Sequence, residues 1–480
     1  MRLSSTELSL EEQIHGGFLH LARAELSQRI NSPQPSLYDC LLASIYFRKT
    51  GDQRQALAVL DLHNNSSVFD ATHNRLQTLC HTLDFARASD TAKEALSRWS
   101  ADWVEPQRSY VEDVHRIAGA LADPAGFPTL LQPTEIDSNG YHNLNSNEET
   151  TCTGVVDRNR RLARPIAARF DPHSQCWLEQ DSERVIRELL QPNHDFRSFF
   201  GGARPWQART EGPDRAAAET LINGISIFVE SNPHFGHFIT QSASFANALG
   251  YAEQLVSQPG EAITVLSKGS IPEWGQQLLQ ASCSRCLHFQ PMDPAQPLRA
   301  DCLVVAPPTW IEWHYAHRDH SRLFRKAARH WLNPRSSTTR RLYFSRNRLD
   351  DCLRRSVNED ALEELLVKRG FTVVHPQELP LPEVAQLVNE AELIAGAMGS
   401  AMHNVLFHLP DHFQVTLNFA HHLPGINNAL VELCSDIPRN LYRRSCSETD
   451  FVPGEASHLE FCIDDCMEAV DQALAQLVQR

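Results

Sequence analysis

The chain has 480 residues, enough for two to four domains that each bury a core. Apolar residues make up 42% and charged residues 21%, which excludes wholesale disorder and collagen-like repeats. With 44 Lys+Arg against 59 Asp+Glu the formal charge is -15, so a general nucleic-acid or anionic-membrane role is excluded and any anion site must be local.

The N-terminal stretch MRLSSTELSLEEQIHGG lacks the basic flank and apolar stretch of a secretory signal, and no window approaches 18 consecutive apolar residues. The expectation is a cytoplasmic protein with no transmembrane segment. The 12 cysteines are scattered and read as small buried hydrophobes rather than a disulfide framework. Two close pairs, Cys283 with Cys286 and Cys462 with Cys466, lack the second pair in register that a structural zinc site needs.

Residues 1–110 read as helices. A helix pair breaks at Gly51-Asp52, and Phe47, Gly51 and Ala56 stand at the spacing of one tetratricopeptide unit. The plainer reading is a generic helical cap. Residues 111–335 are expected to form a first Rossmann-like unit on the acceptor side, with a polar insert at about 136–175 that has room for a short strand or hairpin. Residues 336–480 are expected to form a second Rossmann-like unit that binds the nucleotide.

The basis for two units is alternation. Strand-like ISIFVE (225–230), AITVLS, CLHFQ and CLVVA are interleaved with helical runs. After a basic helix near 319–332 the pattern restarts with RLYFSR, TVVHP, ELIAGA, AMHNVLFHL and FQVTLNF, ending on a helix from Asp464. Strand and helix in alternation predict parallel sheets, whose ligands sit beyond the carboxyl ends of the strands.

Three clusters occupy such ends. After ISIFVE come His234, Gly236 and His237, and His237 is the candidate base, helped by His234. The competing reading is a histidine that only caps the helix start. After RLYFSR come Arg346, Arg348, Arg354, Arg355, Asn358 and Glu359, and eleven of the 44 basic residues fall between 321 and 355. Arg346 and Arg355 are assigned to a diphosphate, because the guanidinium fork fits phosphate oxygens. Arg322, Arg325 and Arg329 are assigned to a solvated helix face. After ELIAGA come Gly399, Ser400, His403 and Asn404, small and polar residues that let backbone approach a ligand. P-loop, HExxH, GxSxG and early GxGxxG motifs are absent, and no acidic DxD loop stands out.

Taken in order, the SR, R-x-x-NE, GF, E-L and G-x-x-G-[SA]-x-x-x-N elements in the stretch from RLYFSR to NVLF, with NPHFGHF upstream, resemble glycosyltransferase family 61 over about 222–420. The resemblance implies two facing Rossmann-like domains of the GT-B type, an inverting transfer from a nucleoside diphosphate sugar, and no cofactor or obligatory metal. It places Arg346 and Arg355 beside the donor diphosphate, Gly399, Ser400 and Asn404 in the glycine turn and following helix, Glu383 at the acidic position after the E-L element, and His237 at the family's histidine. Met398, Gln241 and Val384 stand where the family often has His, a carboxylate and Gln.

The expected function is transfer of a sugar, UDP-linked, to a hydroxyl of a glycan or related acceptor, as in polysaccharide biosynthesis. The alternative is a catalytically silent, transferase-like scaffold that binds a protein partner through its helical N-terminus. A third reading is an epimerase or hydrolase acting on the nucleotide sugar itself.

Overall fold

The computed structural model describes residues 19–49, 53–63, 69–81, 85–99, 141–143, 155–157, 163–172, 176–181 and most of 219–478, with isolated residues between 10 and 189. Within 219–478 the residues left out are 259, 307, 312–314, 333–338, 350–355, 421–427, 429–430, 433 and 450–457.

Among the described residues five helices are complete in the first part of the chain: α1 (Leu19–Ile30), α2 (Leu37–Lys49), α3 (Gln53–Asp61), α4 (Phe69–His81) and α5 (Phe85–Trp99). Helices α2 and α3 pack against each other, and Ala56 is fully buried. Gly51, the turn residue of the tetratricopeptide reading, lies outside the described residues.

Two six-stranded sheets follow. The first contains β3 (Arg164–Asp171), β4 (Cys176–Glu179), β5 (Thr220–Phe228), β6 (Ile263–Ser267), β7 (Leu287–Pro291) and β8 (Leu298–Val305), in the order β4-β3-β8-β5-β6-β7. Strands β8, β5, β6 and β7 are parallel, and the β3–β4 hairpin adds antiparallel strands at one edge. Apolar runs such as ITVLS are buried on both faces, which is why they read as continuous rather than alternating. A small sheet, β2 (Val155–Asp157), β9 (Trp310–Ile311) and β10 (Tyr315–His317), lies apart from it.

The second six-stranded sheet has the order β1-β15-β14-β13-β11-β12 and every pairing in it is parallel. Its strands are β1 (Tyr141–Asn143), β11 (Arg340–Phe344), β12 (Phe371–Val374), β13 (Ala391–Ala397), β14 (Val415–Ala420) and β15 (Arg439–Arg444). Thus β1, inside the polar insert that the sequence places in the first unit, is an edge strand of the second sheet. The segment AMHNVLFHL forms a 3-10 helix over Ser400–Phe407. A hairpin of β16 (Cys446–Thr449) and β17 (His458–Phe461) precedes the closing helix.

Between the sheets run α6 (Glu273–Ala281), α7 (His320–Trp331) and α9 (Leu381–Glu390), whereas α8 (Glu359–Lys368) packs with the closing helix α10 (Ile463–Val478) in a separate core of the second sheet. Helix α7 packs against α6 on one side and against α9 and the 3-10 helix on the other. Phe324 meets the Phe407 ring at 5.5 Å, and one continuous core joins Ile227 and Val229 of the first sheet's side to Phe344 and Ile394 of the second. Each such side chain removed from water contributes about 1.5–3 kcal/mol. Arg322 and Arg329 are exposed as expected, but Arg325 is a correction: its guanidinium binds Asp436 Oδ2 at 3.0 Å and the His408 carbonyl at 3.2 Å. Its charge therefore ties α7 to the second sheet's loops. Among the cysteines, Cys283 and Cys466 are buried, which pushes their thiols up to about 11 and about 12.

His408 is fully buried, and neither ring nitrogen has a hydrogen-bond partner among the described residues. Burial, then His412 and Arg325, lower its pKa from 6.5 to about 3. The unfolded chain therefore binds a proton that the folded chain refuses between pH 6.5 and about 3, so stability falls as pH falls through that window. At up to about 1.4 kcal/mol per pH unit, urea unfolding at pH 7 and pH 5 is expected to show wild type losing about 2 kcal/mol more than His408→Phe. Equal losses in the two proteins would refute the assignment.

Candidate active site

The carboxyl end of β5 leads through Val229 and Glu230 into a loop that is tightly pinned. Val229 N–H continues the ladder to the Leu266 carbonyl at 2.9 Å, and Ser231 Oγ donates to the Ser270 carbonyl at 2.7 Å. Asn232 Oδ1 accepts from His234 N–H at 2.9 Å, an Asx turn that sets up the helix start. His234 is then the N-cap: its Nδ1 accepts the His237 N–H at 3.5 Å. That bond assigns the lone pair to His234 Nδ1. The two imidazoles lie with ring centroids 4.9 Å apart, His234 exposed and His237 half-buried.

From Phe235 the chain runs through an irregular helical stretch whose second turn, Phe238–Ser242, is a π-turn. Such wide turns recur at functional sites because they redirect side chains. Here Thr240 Oγ1 donates to the Gly236 carbonyl at 2.9 Å, and His320 Nε2 donates to the Ile239 carbonyl at 3.0 Å. Gln241, one of the departures, is buried in this turn.

On the second sheet, β13 ends in Met398 and Gly399. Gly399 has φ +152°, and a Cβ there would meet Arg346 Nη1 at 2.6 Å. Only glycine lets the Arg346 guanidinium lie against this turn, where Nη1 donates to the Met398 carbonyl at 3.3 Å. Asn428 Nδ2 donates to the Gly399 carbonyl at 3.2 Å. Asn428 is a residue that sequence reasoning missed, since nothing in its polar surroundings marks it out. Asn404 sits one turn into the 3-10 helix, its Nδ2 donating to the Ala401 carbonyl at 2.8 Å. Its Oδ1 is buried without a hydrogen-bond partner among the described residues.

The two loops touch. A Cβ on Gly236 would come within 2.8 Å of Ser400 Cβ, so the histidine turn of the first sheet abuts the glycine turn of the second. The structure thus brings together His234, His237, Arg346, Gly399 and Ser400, with Asn404 just behind. Glu383 is exposed in the first turn of α9, and no bond ties it to this group. Arg355 lies outside the described residues. Met398 and Val384 are buried, Met398 beside Ala420 and Tyr442 and Val384 in the inter-sheet core.

The described members of the basic cluster disperse in space. Arg340 and Arg341, at the amino end of β11, pair with Glu390 and Glu392 at 3.1 Å each, and Arg348 pairs with Glu378 at 2.9 Å. Among the described arginines of the cluster, Arg346 reaches the glycine turn.

Residues 235–416, less than half the chain, match the family model described as Glycosyltransferase 61. The chain carries a glycosyltransferase domain. The match begins at Phe235, in the histidine turn, and extends past the glycine turn into β14, so this enzyme's domain spans both loops that meet at Gly236 and Ser400. No curated protein matches the chain. Among the described residues of this glycosyltransferase, no helix is long and apolar enough to cross a membrane, and no group of three His, Cys, Asp or Glu could hold a metal ion.

Proposed function

We propose that this glycosyltransferase moves a sugar from a nucleoside diphosphate sugar, UDP-linked, to a hydroxyl of a glycan or related acceptor, with inversion at the anomeric carbon. In this reading the two six-stranded sheets are a GT-B pair, the first serving the acceptor and the second the donor. The tetratricopeptide-like helices lie outside the chemistry.

The supporting observation is the contact between the two carboxyl-edge loops, which sets imidazoles from one sheet beside a guanidinium and a tight backbone turn from the other. The acceptor hydroxyl attacks the anomeric carbon while an imidazole nitrogen of His237 takes its proton, with His234 as neighbour. The bond from the anomeric carbon to the diphosphate oxygen breaks, and that oxygen keeps the electron pair. Arg346 neutralises the charge that develops there, joined by Arg355, while Gly399 and Ser400 give the phosphates close backbone approach. Asn404 and Glu383 are assigned to the nucleoside side. A single in-line displacement inverts the centre.

A thermal-shift screen with UDP, GDP and CMP tests the donor site. UDP is expected to raise the unfolding temperature by a few degrees, since ligand at 100 times its Kd adds about 2.7 kcal/mol. A flat response to all three nucleotides would overturn the donor assignment.

A further inference from the structure

The loop that carries Arg346 is held from behind by acidic residues at the start of α8. Glu359 is buried, and its Oε1 accepts two donors: the Tyr343 hydroxyl at 2.6 Å and the Arg346 backbone N–H at 3.1 Å. One turn on, Glu363 Oε1 accepts from Ser345 Oγ at 2.6 Å, and Ser345 Oγ in turn accepts the Asn347 N–H at 3.0 Å. Asp360 accepts from the Asn347 side chain. Residues 345, 346 and 347 are thus each bonded, directly or through Ser345, to the first two turns of one helix. That helix is itself anchored: Asn358 exchanges two bonds of 2.8 Å with the Phe461 backbone of β17.

Glu359, Asp360 and Glu363 are the carboxylates that this helix start turns toward the loop. Here they take the backbone and the neighbouring side chains, and the Arg346 guanidinium points to the Met398 carbonyl and Gly399 on the next strand. We infer that Glu359 is a positioning residue for the donor site: it fixes the Arg346 backbone so that the guanidinium is presented to the glycine turn. The functional half of this inference rests on the assignment of Arg346 to the donor diphosphate. Glu359 Oε1 can accept whether or not the carboxyl is ionised, so an amide oxygen can do the same work. Burial raises the Glu359 pKa, in keeping with a group that acts as an acceptor rather than as a charge.

Three variants, Glu359→Ala, Glu359→Gln and Ser345→Ala, are compared with wild type by amide hydrogen exchange and by calorimetry with UDP. In Glu359→Ala, exchange over residues 345–347 should rise at least about tenfold while the first sheet is unchanged, because a buried amide has lost its acceptor. UDP affinity should fall by a similar factor, and Glu359→Gln should restore both. Ser345→Ala, which leaves the helix intact, should raise exchange at Asn347 and weaken UDP binding less.

Local exchange unchanged in Glu359→Ala overturns the positioning role whatever the ligand. Exchange that rises everywhere in Glu359→Ala, or fails to recover in Glu359→Gln, reduces Glu359 to a general stability residue. Raised exchange with unchanged UDP affinity, while Arg346→Ala loses it, overturns the link to the donor. If wild type binds no nucleoside diphosphate, the donor assignment itself falls, and the exchange data still decide whether Glu359 fixes the loop.

Discussion

Arg346→Ala is expected to lower kcat/KM for sugar transfer by about 10²–10³ and to weaken UDP binding at least about tenfold. The side chain is half-buried against the Gly399 turn and donates to the Met398 carbonyl, so its position is set before any ligand arrives. A fork held in place costs little reorganisation when negative charge builds on the departing diphosphate, and its bonds strengthen as that charge grows. The loss should therefore be larger in kcat/KM than in UDP affinity. Arg346→Lys should recover little, because an ammonium lacks the planar pair of donors. Calorimetry and steady-state kinetics on the same preparations give the comparison; UDP affinity equal to wild type in Arg346→Ala would remove the residue from the donor site.

His237→Gln is expected to lower kcat by about 10²–10⁴ while leaving UDP affinity near that of wild type. The split follows from the geometry. The imidazole belongs to the first sheet's loop, whereas Arg346 and Gly399 belong to the second, and the bond that fixes the turn comes from the His237 backbone, not its ring. Glutamine keeps the polarity and approximate size but cannot take the acceptor's proton. His234→Gln serves as the comparison, since it replaces the N-cap Nδ1 with an amide oxygen one bond farther from the backbone and should affect thermal stability as well as rate. If His234→Gln loses turnover and His237→Gln does not, the proton goes to His234 and the roles are exchanged.

The strands that position the site were legible because each carries a buried apolar run: ITVLS, the LVV end of LRADCLVV, and LIAGA within AELIAGA. The edges were not. Strand β15, RNLYRR, is half arginine and is not among the strands read from the sequence, yet Leu441, Tyr442 and Arg443 are buried, and the Arg443 guanidinium is answered by Asp465 and Glu468 at 3.1 and 2.9 Å. Those partners lie more than twenty residues away in α10, so local pattern could not reveal them. Strand β1 is three residues long and gives no periodicity to read.

The arginine cluster shows the same limit. Adjacency in sequence suggested one basic pocket, but a strand carries Arg340 and Arg341 to one end of the sheet and Arg346 to the other, and the carboxylates that answer the first two lie about fifty residues later. What could be read was the strand-end placement of His237, Arg346 and Gly399. That these three ends converge depends on two sheets meeting, which no local spacing encodes.

At position 236 there is no room for even one methyl group beside Ser400. The separation of the two halves at this seam is therefore dictated by bare main chain at 236 lying against the Ser400 Cβ, an atom fixed to its backbone that no rotamer change can move aside. Any residue larger than glycine would act there as a shim, and the histidine turn would stand farther from the guanidinium by the thickness of whatever was inserted.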